Sequence, residues 1–189
     1  MMQSTTQILE LLETERTALL ATVDRAPESL RARRPAPEQW SIVEVLEHLT
    51  RVETGVTRLL TVRGRTAPSG EAAGVDLSGA QLDAARIARL RDRADRLEAP
   101  ERIRPAGTSE PAEALRALAA VRTELVVALL AADPGALDGA VHTHPELGPL
   151  TLRGWAEFVA HHEARHAEQV REIADALAAG GRARGGEGV

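Results

Sequence analysis

The residues with the clearest capacity for chemistry are two histidines four positions apart, His162 and His166. On a helix, residues at that spacing are neighbours on one face, and two imidazoles so placed can share one metal ion. Plotted at about 100° per residue, both fall within the apolar stripe of Trp155, Phe158, Val159, Val170, Ile173 and Leu177, as does Gln169. A stripe turned toward a core is normally filled with aliphatic side chains. A neutral imidazole there costs about 1–3 kcal/mol unless its nitrogens are partnered, and a metal would satisfy one nitrogen of each ring. A third histidine, His48, lies at the edge of another helical stripe, between Val45 and Val52, with Gly55 two turns further on leaving room beside it. Three imidazoles leave a coordination position open for water or substrate, as in catalytic rather than structural zinc sites. Imidazole suits Zn²⁺ and Ni²⁺ alike. Ligating histidines must be neutral, so binding is expected to weaken as the pH falls below about 6.5.

The same segment, His162-Glu163-Ala164-Arg165-His166, also spells the H-E-x-x-H pattern of metalloproteases, in which Glu163 would be a general base. The extended form of that pattern needs glycine and a third histidine soon afterwards, where this chain has Ala167-Glu168-Gln169-Val170. The remaining candidates have plainer roles. Arg165 and Gln169 border the histidine stripe, placed either for helix–helix hydrogen bonds or for support of the ligands and contact with substrate. Glu44, one turn before His48, could orient its ring, although a capping role already accounts for it. His161 is about 100° around the helix from His162 and should face away. His142 and His144 fall in a loop, where packing is the simpler role.

Long helices must position these groups. The first is expected from about Thr5 to Val23, opened by Ser4 and Gln7 as a capping box. The second starts at the N-cap Ser41, with Glu44 completing the box and Trp40 stapled onto Val45. Residues 64–79 are rich in Gly, Pro, Ser and Thr and read as a loop, and Gln81 to Leu97 as a shorter helix over the main body. The third long helix begins near Ser109-Glu110-Pro111, with proline in the tolerated first turn, and ends by Asp133-Pro134-Gly135. The fourth is capped by Thr151, staples Leu150 onto Trp155, and stops at Gly180-Gly181. Residues 1–180 therefore form one domain, expected to be an all-α four-helix bundle with an extra short helix between core helices 2 and 3. Residues 181–189 are expected to be a disordered tail.

Composition narrows the function classes. A net charge of -5 argues against a nucleic-acid module. With no cysteine there can be no disulfide, thiolate ligand or cysteine nucleophile, so a metal would be held by histidine, carboxylate or water. No run approaches the roughly 20 apolar residues that span a bilayer, and the N-terminus lacks a signal-peptide pattern. A cytoplasmic location is the expectation.

Several segments together resemble the DinB/YfiT-like superfamily. Trp40-Ser41-Ile42-Val43-Glu44-Val45-Leu46-Glu47-His48-Leu49 is similar to its second-helix signature. His144-Pro145-Glu146-Leu147-Gly148-Pro149-Leu150-Thr151, followed by Trp155, Phe158, His162, Arg165, His166 and Gln169, is similar to its C-terminal signature. The stretch from Glu98 to Pro105 resembles the segment before the third core helix. The resemblance implies an up-down-down-up bundle, often a homodimer, with a divalent metal on His48, His162 and His166. It also implies a small-molecule substrate, acted on by a metal-dependent hydrolase or by a transferase or isomerase that uses a low-molecular-weight thiol. A non-enzymatic metal-binding or interaction bundle is the alternative. The two part on whether the open coordination position faces a pocket.

Overall fold

The computed structural model describes residues 3–67, 77, 79–94 and 99–185. Four long helices make the bundle: α1 (Thr5–Asp24), α2 (Ile42–Arg63), α4 (Pro111–Ala131) and α6 (Leu152–Gly185). Between them lie two short helices, α3 (Ala84–Arg91) and α5 (Pro134–Gly139), and two strands, β1 (Val141–His144) and β2 (Gly148–Thr151).

The starts of α1, α2 and α6 follow from side-chain capping. Ser4 accepts from the Gln7 amide while the Gln7 side chain accepts from Ser4, and Ser41 and Glu44 form the same reciprocal pair. The Thr151 hydroxyl accepts from the Gly154 amide at the start of α6. Pro111 occupies the first turn of α4, where no amide is needed.

The direction of each helix can be read from two core clusters. At one end, Ile8 and Leu12 of α1 and Leu152, Phe158 and Val159 of α6 pack with Val56 and Leu60 of α2 and Leu125 and Leu129 of α4. At the other end, Leu19 and Val23 of α1 and Val170, Ile173 and Leu177 of α6 meet Val43 to Leu49 of α2 and Leu118 of α4. Thus α1 and α6 run together, and α2 and α4 run together against them. This is the up-down-down-up bundle, with α3 lying on α6 between core helices 2 and 3. No helix among the described residues is long and apolar enough to cross a membrane.

Four local expectations change. The segment holding His142 and His144 is an antiparallel hairpin rather than a loop, with Val141 opposite Thr151 and His144 opposite Gly148. Four-residue strands are too short to display an alternating pattern. They are held by neighbours distant in sequence: Thr151 donates to the Ala80 carbonyl, Leu152 to Ala140, and Trp155 Nε1 to His142. Gly148, at φ 76°, closes the turn in the left-handed region that suits glycine. The short helix expected over Gln81 to Leu97 is Ala84–Arg91, capped by Asp83, and 95–98 lie outside the described residues. The single-turn α5, capped by Asp133, was not expected at all. Finally, α6 continues through Gly180 and Gly181 to Gly185 rather than stopping at the glycine pair. Glycine in a helix costs roughly 1 kcal/mol each without forcing an end. Residues 68–76 and 78 of the expected loop, Glu98 and residues 186–189 lie outside the described residues.

Candidate metal centre

His162 and His166 face the bundle interior from α6, and His48 meets them from α2. The His48 and His162 Nε2 atoms are 3.3 Å apart, and those of His162 and His166 are 3.1 Å apart. Nitrogens 2.0–2.1 Å from one metal ion would be separated by about 2.9 Å at right angles and about 3.4 Å at the tetrahedral angle. The observed spacings fall inside that window. His48, His162 and His166 are a group of ligand atoms all within 4.8 Å of one another.

The outer nitrogens fix the tautomers of two of these rings. His48 Nδ1 lies 2.9 Å from the Ile103 carbonyl oxygen, which can only accept. The proton of neutral His48 is therefore on Nδ1, and Nε2 carries a bare lone pair. His166 Nδ1 lies 2.7 Å from Gln169 Oε1, with the same consequence. Two lone pairs thus converge on His162 Nε2, and a single N–H there cannot satisfy both. Protonation is a poor remedy. Burial pushes the His48 pKa down, and it pushes His162 and His166 well below the ordinary histidine range, helped by the repulsion each would feel from its neighbours. A cation held by three lone pairs resolves the conflict, so the donor set fits a divalent metal.

His48 owes its orientation to the segment before the third core helix, which the family resemblance marked but hydrophobic patterning did not. Residues 99–110 cross the end of α2, with a short 3₁₀ turn at Glu101–Ile103. The Glu47 carboxylate accepts the amides of Ala106 and Gly107 on one oxygen and of Thr108 and Ser109 on the other, at 2.7–3.2 Å. Burial alone would raise its pKa, but these amides outweigh burial and lower it. Glu47 therefore grips the crossing segment, and that segment places the Ile103 carbonyl on His48. Glu44 acts elsewhere: its oxygens take the Ser41 amide and the Arg34 guanidinium. It caps α2, and both of its oxygens are used in doing so and in pairing with Arg34. The sequence signal for Glu47 was only its position beside a ligand candidate.

Arg165 donates to the carbonyls of Leu90 and Asp92 and so ties the end of α3 to α6 on the wall of the site. His161 faces away, as its helical angle requires. It takes hydrogen bonds on Nδ1 from Arg91 and lies near Glu157.

Glu163 is directed to an adjoining face of α6, about 100° around the helix from His162. Its carboxylate is paired with Arg16 of α1 and Arg122 of α4, which also hold Glu53 of α2, at 2.5–2.8 Å. The remaining donors are used as well: Arg16 Nη1 on the Leu118 carbonyl and Arg122 Nη1 on that of Leu12. Glu163 is locked in this buried box and cannot serve as a base for the histidine site, which removes the metalloprotease reading. Arg16 between Leu12 and Leu19, and Arg122 between Leu118 and Leu125, were the visible signals: charges inside apolar stripes.

The three histidines open on a cleft of about 1060 Å³. Trp40, Gly55, His144 and Phe158 line its walls with Arg102 and Arg165. A side chain at Gly55 would meet nothing within 4 Å, so the glycine keeps the α2 wall open. His142 and His144 border the cleft from the hairpin rather than joining the cluster.

Known proteins agree with this architecture. The chain is 32% identical over 145 residues to the uncharacterized protein YuaE of Bacillus subtilis (strain 168), covering 76% of this chain and 83% of that protein. It is similar to the crystal structure of TT2238, described as a four-helix bundle protein, with a TM-score of 0.56 and 25% identity over 89% of this chain and 99% of that one. The family profile described as DinB superfamily matches residues 11–170, which include every element of the histidine site. The chain belongs to the DinB superfamily.

Proposed function

We propose that this protein is a metal-dependent enzyme acting on a small molecule, with a divalent ion, Zn²⁺ or Ni²⁺, bound by His48, His162 and His166. The observation that carries this reading is the convergence of three Nε2 atoms, two of them fixed as lone pairs, at the floor of an open cleft. A divalent ion bound there lowers the pKa of a coordinated water or thiol and so supplies a nucleophile near neutral pH. The chain's own residues do the rest. Ile103 and Gln169 hold the His48 and His166 rings in the productive tautomer, as outer partners of metal-bound histidines generally do. Trp40 and Phe158 flank the cluster with aromatic surface, at ring-centroid distances of 5.1 Å from His48 and His162 respectively. Arg165 supports the wall through α3. The size of the cleft favours an enzyme over a bundle that merely retains its ligands, because ligand pockets typically occupy about 300–1,000 Å³.

The test has two parts. Elemental analysis of untagged protein should give about one divalent ion per chain, lost in His162→Ala and His166→Ala. Equal, negligible metal in all three would remove the site. The metal-loaded protein is then screened on esters and amides, and separately on electrophiles with low-molecular-weight thiols. Turnover without thiol supports hydrolysis, and turnover only with thiol supports transfer. His48→Ala should abolish either activity, and full activity in that variant would refute a three-histidine mechanism.

A further inference from the structure

His144 is a fourth histidine of the cleft, and its surroundings give it a different character from the other three. Its Nδ1 accepts the backbone amides of Glu146 and Leu147, each at 3.1 Å, inside the hairpin turn. An atom that accepts two N–H groups carries no proton of its own, so the neutral ring holds its proton on Nε2. The ring lies against Phe158 and Trp155, at centroid distances of 4.8 and 5.2 Å, and Phe158 in turn stacks on His162. His144 lines the cleft, and Nε2 has no protein partner among the described residues. Burial first, and then the positive charge of Arg102, push its pKa down to about 4. Near neutral pH it therefore stays an uncharged N–H donor. The metal candidates present lone pairs to the cleft, whereas His144 presents a proton.

The charges around it have a matching bias. Of the three glutamates that line the cleft, Glu172 is held by Arg93 at 3.0 Å, Glu146 faces Arg89 at 3.5 Å, and Glu38 lies within charge range of Arg34. Arg51 and Arg102 also line the cleft, with no carboxylate partner among the described residues, Glu101 being paired with Arg104 instead. The His144 ring thus combines a fixed N–H donor with the positive charge of Arg102 close enough to lower its pKa, both on the lining of the same cleft.

We propose that His144 Nε2 and the Arg102 guanidinium form an anion subsite that binds a carboxylate or similar oxyanion group of the substrate, beside the three-histidine cluster and not through it. The inference deepens the enzymatic reading by naming a substrate class, anionic small molecules, but the subsite needs no metal and can be tested without one. A donor set by two backbone amides is preorganised and loses little entropy on binding. A hydrogen bond to a charged acceptor is among the stronger ones.

Benzoate serves as the probe and benzamide as its uncharged counterpart. Each is titrated into the full-length protein with and without zinc, and binding is followed by tryptophan fluorescence, since Trp40 and Trp155 both line the cleft. Benzoate should bind at least about tenfold more tightly than benzamide in both states. His144→Asn keeps an oxygen for the hairpin amides but withdraws the donor, and Arg102→Ala removes the charge. Each should weaken benzoate about tenfold and leave benzamide unchanged. His144→Gln, whose amide nitrogen reaches the Nε2 position, should recover most of the affinity. Metal content is measured in parallel and should be the same in all of these variants. Equal binding of benzoate and benzamide, undiminished benzoate binding in His144→Asn, or no benzoate binding at tens of millimolar would overturn the subsite. Preference for benzoate that appears only with zinc and is insensitive to His144 would assign the anion to the metal and overturn it too. Loss of metal in wild type with the benzoate pattern intact would instead defeat the metal reading and leave the subsite standing.

Discussion

Two buried polar clusters sit side by side on adjoining faces of α6, and they solve the same problem in opposite ways. On one face, Glu163 joins Arg16, Glu53 and Arg122 in a box where two cations meet two anions, and each guanidinium also reaches a backbone carbonyl. On the other face, one residue before and three after Glu163, the imidazoles of His162 and His166 meet His48 with two lone pairs and at most one proton between them. The box is complete within the chain. The histidine cluster is complete only with something added. Each helix of the bundle contributes one residue to the box, so it locks the four together. The cluster uses two helices and opens onto a cleft. A satisfied buried network specifies structure, and an incomplete one that is kept open is where binding is expected.

The box should be the more fragile of the two clusters. Arg122→Met should leave Glu53 and Glu163 short of a partner and destabilise the protein by about 3–5 kcal/mol, read from urea unfolding. A loss below about 1 kcal/mol would show that the box is not structural.

The histidine face should respond to pH instead. Without metal, His48, His162 and His166 have pKa values lowered by folding. The unfolded chain then takes up protons first, so stability should fall as the pH drops below about 6.5, by up to about 1.4 kcal/mol per histidine at one unit below. The loss stops only below the folded-state values. His162→Ala should flatten part of this slope, and a metal-free protein whose stability is level across that range would contradict the burial of neutral rings. The same depression sharpens the expected pH dependence of metal binding. The folded rings remain neutral below 6.5, so competition by protons should begin lower than for an unperturbed histidine.

Metal should act on one face only. Zinc at 100 times its Kd should stabilise the wild type by about 2.7 kcal/mol, and should do nothing for His162→Ala. A smaller effect is expected at the outer shell: Gln169→Leu removes the acceptor for His166 Nδ1 and should weaken zinc binding by roughly 10–100-fold. Unchanged affinity would mean that Gln169 does not set the His166 tautomer. The smallest effect belongs to Gly55. With open space around it, Gly55→Ala should raise stability by about 0.5–1 kcal/mol without altering metal content, and Gly55→Trp should leave metal in place while closing the cleft to substrate.

By itself the sequence determined the four long helices, their caps and the placement of His162, His166 and Gln169 on one face, because capping and helical periodicity act within a few residues. It also carried the family resemblance that joined His48 to the other two. It left open what Glu163 does, since H-E-x-x-H reads the same whether the glutamate is a base or a structural anion. Only tertiary packing decided that, by bringing Arg16 and Arg122 from two other helices onto its carboxylate. Packing also decided that Glu47 holds residues 106–109, that Ile103 sets the His48 tautomer, and that His144 lies on a hairpin at the cleft. Each of these rests on a contact more than 40 residues apart or on a backbone atom. Backbone atoms are the same in every residue, so no side-chain pattern announces them.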